Sequence, residues 1–107
     1  MATKTTLADI EPREMVPGYS ARFIHTEHTT HAYWEIDPHK PLPEHSHPHE
    51  QTVNVLAGTI ELVVGGESHV LEAGDVLHIP GGVPHSAVAH TPCRVLDVFS
   101  PVREEYR

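Results

Sequence analysis

Prolines and glycines divide this chain into short segments, and that division restricts its fold more than any other feature. Ten prolines and seven glycines are scattered along 107 residues, and each proline removes a backbone donor that a helix interior or a central strand would use. In one of the segments, Ala32, Trp34 and Ile36 share a face. Tyr33 and Glu35 share the other, and this period of two is typical of a strand with one buried side. The sequence therefore favours short strands over helices.

The turns between the segments also indicate an all-β fold. Residues 53–64 form the strongest β-like run, and Gly58 interrupts it where we predict a bulge or a sharp bend. The pair Gly65-Gly66 supplies the positive φ angles of a tight hairpin, and further turns are predicted at residues 73–75 and 80–82. About eight short strands without an amphipathic helix are typical of a sandwich or barrel.

The length of the chain indicates one domain, since 107 residues can bury one core but not two. We expect residues 1–17 to form a polar N-terminal arm, because Pro12 and Pro17 oppose a continuous helix there. Residues 18–107 are then expected to form the barrel, with a charged tail at residues 101–107.

The balance of charged residues argues against polyanionic partners. Lys and Arg number 7 against 15 Asp and Glu, which gives a net charge of -8, and such a chain repels nucleic acids and anionic membrane surfaces. No apolar run is long enough to cross a bilayer, and the first ten residues lack the apolar segment of a secretory signal, so we expect a cytoplasmic protein. Cys93 is the only cysteine, which excludes an internal disulfide and a cysteine-cluster metal site.

Histidine is unusually common, at 11 of 107 residues. His45 and His47 are two residues apart, which on a strand places both rings on one face, close enough to share a metal ion. His85 follows a Pro-Gly-Gly turn that could return a second strand to the first. Each of these histidines could also be a surface residue of a polar loop. The default expectation for the other histidines is a loop or strand surface: His25, His28, His31, His39, His69, His78 and His90.

The segment around His45 and His47 resembles the first motif of the cupin superfamily, in which a His-x-His pair precedes a glutamate ligand and then a glycine. In this sequence three residues separate His47 from Gln51, and six more separate Gln51 from Gly58. His39 occupies the place of the motif's opening glycine, a backbone-shaping position.

A second cupin motif lies in register with the first. Gly74 is followed by five residues, by Pro80-Gly81-Gly82, and after two more by His85, with Ala89 where the family has asparagine. Fifteen residues lie between Gly58 and Gly74, a common cupin spacing. The resemblance implies a single-domain cupin barrel, also called a double-stranded β-helix or jelly roll. It also implies one divalent metal ion (zinc, nickel, manganese or iron) bound by four residues: His45, His47, Gln51 and His85.

Gln51 stands where the family usually has a glutamate ligand. We prefer it to Glu50, which has the opposite strand parity, and to His49, although Pro48 interrupts the strand and weakens arguments from parity. A neutral shell of three histidines and one glutamine leaves the charge of a divalent ion uncompensated by the protein. Such an ion acts as a stronger Lewis acid toward an anionic substrate.

The segments 45–51 and 96–104 further resemble a small cupin of pectin degradation that converts 4,5-unsaturated monogalacturonate into its linear keto form. In that family an Asp, a Phe and an Arg act beside the metal, and the matching residues are Asp97, Phe99 and Arg103. Strand parity places Val95, Asp97 and Phe99 on one face. The resemblance implies that Asp97 moves protons, that Arg103 clamps the uronate carboxylate and that Phe99 forms a wall against the sugar ring.

Two other functions remain open from the sequence. One is a metal-dependent dioxygenase acting on a flavonol or diketone with iron, manganese or copper, and the other is a non-catalytic cupin that binds a sugar or small acid. The expected partner is a small anionic sugar in the first interpretation, and a homodimer is left open because many small cupins are dimers.

Overall fold

The computed structural model describes all residues, 1–107, as two antiparallel sheets with almost no helix. The ten strands are β1 (Arg13–Val16), β2 (Tyr19–His25), β3 (Thr30–Ile36), β4 (Leu42–His45), β5 (Glu50–Ala57), β6 (Thr59–Val64), β7 (Glu67–Glu72), β8 (Val76–Ile79), β9 (His85–Ala89) and β10 (Cys93–Ser100). Two short 3₁₀ turns lie at Leu7–Asp9 and Glu104–Tyr106. None of the helical segments is long and apolar enough to cross a membrane.

The two sheets have six and four strands, in the orders β1-β2-β3-β10-β5-β8 and β4-β9-β6-β7. All of the strand pairs are antiparallel, and several neighbours are far apart in sequence, as expected for a jelly roll. The predicted all-β jelly-roll fold is therefore confirmed. This topology matters for the site because it places β4 beside β9 and β10 beside β5.

The core is built from the strand faces that the sequence pattern predicts. Ala32, Trp34 and Ile36 on β3 are buried, whereas Glu35 is exposed and Tyr33 is half-buried. Fifteen buried apolar side chains from both sheets form one cluster. The inward row of β10 continues this pattern, except that Asp97 stands where an apolar residue would be expected.

Two of the predicted glycine turns determine how the strands connect. Gly65 and Gly66 have φ angles of 55° and 81° and join β6 to β7 in a tight hairpin. Gly58, with φ 87°, separates β5 from β6, and the register between β5 and β10 shifts close to this point, between Arg94 and Val95. The predicted bend at Gly58 is therefore present.

Both ends of the chain are more structured than their polar composition suggests. Residues 13–16, expected to lie in an arm, form β1 and pair with β2 at the edge of the larger sheet. Without β1, β2 would be the edge strand and would leave backbone N–H and C=O groups unpaired. A local sequence pattern does not show that such an edge is available for pairing. In the charged tail Tyr106 packs against Phe23, with ring centroids 4.7 Å apart, so the tail folds back onto the barrel.

Candidate metal centre and cavity

Three histidines meet at one end of the barrel. His45 ends β4 and lies directly opposite His85, the first residue of β9. His47 lies in the short connection from β4 to β5, and its ring centroid is 5.0 Å from that of His85. One ligand atom from each ring can be chosen so that all three lie within 4.8 Å of one another. Strand pairing thus brings together residues that are far apart in sequence.

Each of these rings is oriented by a main-chain carbonyl. Nδ1 of His45 lies 2.9 Å from the carbonyl oxygen of Pro43. The corresponding distance is 3.0 Å from Nδ1 of His47 to the oxygen of His49, and 2.8 Å from Nδ1 of His85 to the oxygen of Val83. A carbonyl can only accept, so Nδ1 carries the proton in all three rings. The opposite nitrogen, Nε2, is then left with a free lone pair, as metal-binding histidines require.

Gln51 completes the group from β5. Its side chain is buried, and Oε1 lies 3.1 Å from Nε2 of His47. Nε2 of His85 is buried and has no hydrogen-bond partner. Atoms that ligate one ion at about 2.1 Å are separated by about 3.0–3.4 Å. The His47–Gln51 distance lies in this range, and together with the unpartnered Nε2 of His85 it fits a divalent cation bound here.

Two of the three histidines, His47 and His85, are held neutral by their surroundings. Burial lowers the pKa of His47 to about 4, with further lowering by Arg103 and His85, whereas Gln51 and the carbonyl of His49 act to raise it. Burial also lowers the pKa of His85. Neutral imidazoles are the form that binds metal, so little proton competition is expected at these two ligands near neutral pH.

The two alternatives to Gln51 lie elsewhere. Glu50 is exposed and its carboxylate contacts His78 at 2.7 Å, on the outer face of the sheet. His49 is buried, and its carbonyl oxygen accepts the Nδ1–H of His47, but the ring is outside the three-histidine group. His78, which alternates with apolar residues, is exposed.

A cavity of about 260 Å³ opens beside the histidines. Its wall contains three of the predicted metal ligands and all three residues expected from the sequence to act on substrate: His45, Gln51 and His85, with Asp97, Phe99 and Arg103. The remainder of the wall is mainly apolar, with Met15, Trp34 and Leu62 among its residues. The structure therefore brings three of the four predicted metal ligands and the predicted catalytic residues together around one space.

Asp97 is a carboxyl group within this largely apolar wall. Its Oδ1 is buried and lacks a hydrogen-bond partner. Burial raises the pKa of Asp97 to about 7, although Gln51, Trp34 and Arg103 each act to lower it. A group with this pKa can both accept and donate a proton near neutral pH.

Arg103 lies just beyond β10 but is fixed over the cavity. Its main-chain N–H donates to Oγ1 of Thr30 at 2.8 Å, and its Nε donates to Glu105. The guanidinium carbon is 4.9 Å from the ring centroid of Phe99 and 4.2 Å from that of Tyr106. The contact with Glu105 is made by Nε of Arg103. The two terminal NH₂ groups, which form the other edge of the guanidinium, take no part in it.

Two cavity residues were not identified from the sequence. Trp34 was assigned to the inner face of β3, yet its indole N–H is buried without an acceptor and its ring lines the cavity. The inward parity of Trp34 on its strand was the sequence signal that could have identified it as a cavity residue. Tyr106 was placed in a charged tail, and nothing in its neighbouring residues indicates that it returns to the barrel.

The cupin domain family model matches residues 32–99, well over half of the chain. This chain belongs to the cupin family, in agreement with its two motifs. Among solved structures it is similar to KdgF from Halomonas sp., with a TM-score of 0.94, 26% identity and complete coverage of both chains. It is also similar to an RmlC-like cupin from Shewanella frigidimarina NCIMB 400, with a TM-score of 0.93 and 26% identity over 100% of this chain and 97% of the other.

A further similarity is confined to part of the chain. A 46-residue segment is 46% identical to quercetin 2,3-dioxygenase from Bacillus subtilis (strain 168). The match covers 43% of this chain but only 13% of that relative's length. It therefore connects one segment of the two proteins and leaves most of the larger enzyme without a counterpart.

Proposed function

We propose that this chain is a metal-dependent enzyme that opens the ring of a 4,5-unsaturated uronate, such as 4,5-unsaturated galacturonate, and yields its linear keto form. One observation carries the proposal. His45, His85 and Gln51 of the candidate metal centre line one cavity together with the carboxyl group of Asp97 and the guanidinium of Arg103. Similarity to KdgF along the whole chain, and the resemblance to cupins of pectin degradation, support the same assignment.

The proposed reaction is an isomerisation and needs no oxidant. The hydroxyl on C1 loses its proton, the bond between C1 and the ring oxygen breaks, and C1 becomes an aldehyde. The oxygen on C5 leaves as the oxygen of an enolate, which becomes a ketone when C4 gains a proton. The net change is the transfer of one proton from the C1 hydroxyl to C4, so one acid–base group can serve both steps.

Asp97 is the group proposed to carry that proton. Its pKa of about 7 leaves both protonation states populated at neutral pH. In the carboxylate form it accepts the C1 hydroxyl proton, and in the acid form it returns a proton to C4. The apolar wall around it keeps bulk water away from the enolate, which limits exchange with solvent.

Arg103 and Phe99 are proposed to bind and orient the substrate. The terminal NH₂ groups of Arg103 form a planar edge that matches a carboxylate through two parallel hydrogen bonds. Phe99 supports that guanidinium from below and forms part of the cavity wall. A divalent ion bound by His45, His47, His85 and Gln51 would supply positive charge to stabilise the oxygen anions formed as the ring opens.

The test is the rate at which Asp97→Asn removes the ultraviolet absorbance of the unsaturated uronate. We expect a loss of at least about a hundredfold, the usual effect of deleting a general acid–base group. Metal content should stay at the wild-type level, because Asp97 is outside the ligand group. The exposed Asp9→Asn is the matched control and should retain full activity. Unchanged turnover in Asp97→Asn would refute the assignment.

The segment similar to quercetin 2,3-dioxygenase supports a second candidate, a cupin dioxygenase for a flavonol or diketone. The two candidates differ in their need for oxygen. Protein loaded separately with iron, manganese or copper is supplied with a flavonol in an oxygen electrode, while the uronate reaction is repeated without oxygen. Oxygen uptake with the flavonol and no uronate turnover would replace the first proposal with the second.

A further inference from the structure

Tyr106 is the last aromatic residue of the chain, and it closes one side of the cavity. The 3₁₀ turn Glu104–Tyr106 places its ring 5.7 Å from that of Phe99 and 6.2 Å from that of Trp34, centroid to centroid. Its side chain is half-buried and lines the same space as Asp97. The ring therefore belongs to the cavity although the residue lies beyond the last strand.

The position of Tyr106 is set by contacts from two other parts of the sheet. Its main-chain oxygen accepts a hydrogen bond from Nη2 of Arg13 on β1 and lies 3.3 Å from Nε2 of His25 on β2. The guanidinium of Arg13 also lies over the ring of Phe23, 4.6 Å from its centroid, and Phe23 packs against Tyr106. These contacts fix the end of the chain on the barrel.

A chain of hydrogen bonds links the same carbonyl to Arg103. The main-chain N–H of Arg103 donates to Oγ1 of the fully buried Thr30, which in turn lies 2.9 Å from Nδ1 of His25. Because that hydroxyl accepts from Arg103, it can donate its own proton to Nδ1. Nε2 of His25 then carries the proton that is donated to Tyr106. Arg103 and Tyr106 are thus held by one continuous network.

The phenol of Tyr106 is left available to a ligand. The hydroxyl donates no hydrogen bond to another group of the protein. Its oxygen is also not one of the fully buried polar atoms that lack a partner, so it is not sealed inside the core. Burial raises the pKa of Tyr106, opposed by Arg103 and reinforced by the carboxylates of Asp97 and Glu105. The phenol therefore stays protonated at neutral pH and is a hydrogen-bond donor beside the guanidinium.

We propose that Tyr106 is a further substrate-contacting residue, whose phenol donates a hydrogen bond to the carboxylate that Arg103 holds. The inference rests on the proposed uronate substrate. A carboxylate has about four acceptor positions, and a two-point contact with Arg103 uses two of them, which leaves room for a third donor. The ring has a second role, since it encloses the guanidinium of Arg103 together with Phe99.

The experiment separates the hydroxyl from the ring. Galacturonate, a saturated uronate that cannot react, is titrated against the metal-loaded protein, and binding is followed by the fluorescence of Trp34, the only tryptophan. Tyr106→Phe should weaken binding about tenfold, as expected for one hydrogen bond to a charged group. The same variant should raise KM for the unsaturated uronate by a similar factor, with kcat within about twofold and metal content unchanged. Tyr106→Leu should weaken binding more, because Arg103 also loses its stacking partner.

The matched control is Tyr33→Phe, which removes a hydroxyl from the opposite face of β3 and should change neither binding nor KM. Wild-type galacturonate affinity in Tyr106→Phe would overturn the inference, even if Tyr106→Leu fails to fold. If that affinity falls as expected but the wild type does not turn over the unsaturated uronate, the inference stands and the proposed reaction fails. If turnover is found and Tyr106→Phe is unaffected, the reaction stands and the inference fails. A wild-type protein that neither binds galacturonate nor turns over the unsaturated uronate overturns both.

Discussion

Nε2 of His47 and Oε1 of Gln51 lie 3.1 Å apart and face each other as two acceptors. The Nδ1 of His47 already donates to the carbonyl of His49, so Nε2 has no proton to share. Two lone pairs at this distance repel each other unless a cation lies between them. With Oε1 turned to the histidines, the NH₂ of Gln51 is directed away from them, and Gln51 also lowers the pKa of Asp97. Gln51 thus connects the candidate metal centre to the candidate acid–base group.

The first prediction concerns metal removal. Treatment with a chelator should lower Tm, and one equivalent of zinc or nickel should restore it, because an ion that binds only the folded chain stabilises it. At a free concentration of about 100 times Kd the gain is about 2.7 kcal/mol, which for a domain of this size is on the order of 10 °C in Tm. Differential scanning calorimetry of the chelated and reloaded protein measures it.

The control for metal removal compares two histidines. His85→Ala removes a buried member of the group and should abolish the shift in Tm on adding zinc, whereas the exposed His78→Ala should keep it. An equal zinc response in the two variants would show that the ion binds somewhere other than this centre.

The second prediction concerns the unusual glutamine. Gln51→Glu should bind a divalent ion more tightly, roughly tenfold, because a carboxylate adds negative charge to the shell. The same change places a second carboxyl group beside Asp97, which should reduce uronate turnover by at least about tenfold. Competition with a chelating dye measures the affinity, and the uronate assay measures turnover. If the tighter-binding variant is as active as the wild type, a neutral ligand is not needed at this position.

The third prediction is a stability effect at Gly58. A Cβ there would lie 2.2 Å from the main-chain oxygen of Pro92, and φ is 87°. Gly58→Ala should therefore lower the free energy of unfolding by about 3 kcal/mol or more, which combines backbone strain with a clash that backbone atoms cannot relieve. Gly66→Ala is the control, since its φ is 81° but nothing lies within 4 Å of the added atom. Gly66→Ala should lower the free energy of unfolding by only about 1–2 kcal/mol. Urea denaturation measures this free energy in both variants.

Local periodicity predicted the parts of the site that one strand or one turn determines. The inward row of Val95, Asp97 and Phe99 follows from the alternation of a single strand, and all three line the cavity. The Gly65-Gly66 hairpin likewise follows from two adjacent residues. The parity of Glu50 also agrees with its exposed position.

The pairing of strands that are far apart in sequence could not be predicted from local periodicity. His45 lies opposite His85 only because β4 and β9 become neighbours, and no local pattern specifies that pair. The motif spacing suggested that these residues belong together, but it gave no geometry. Tyr106 returns to the barrel through contacts with Arg13 and His25, each more than 80 residues earlier in the chain. Such a contact depends on the assembled sheet, which explains why a charged tail was expected.

The fourth prediction follows from the pKa of Asp97, which is about 7 in the folded chain against an ordinary value of 3.8. Between these two values the folded state holds a proton that the unfolded state has released. Asp97 therefore reduces the stability of the metal-free protein as pH rises through this window, and the loss is complete above about pH 7. Asp97→Asn cannot ionise. Its free energy of unfolding relative to the wild type should therefore rise by up to about 4 kcal/mol between pH 4 and pH 8. Urea unfolding of the chelated proteins at pH 4, 6 and 8 measures this. The buried His47 has a lowered pKa and the opposite effect, but it is present in both proteins and cancels in the comparison. A difference between them that does not change with pH would mean that Asp97 is not buried as a neutral acid.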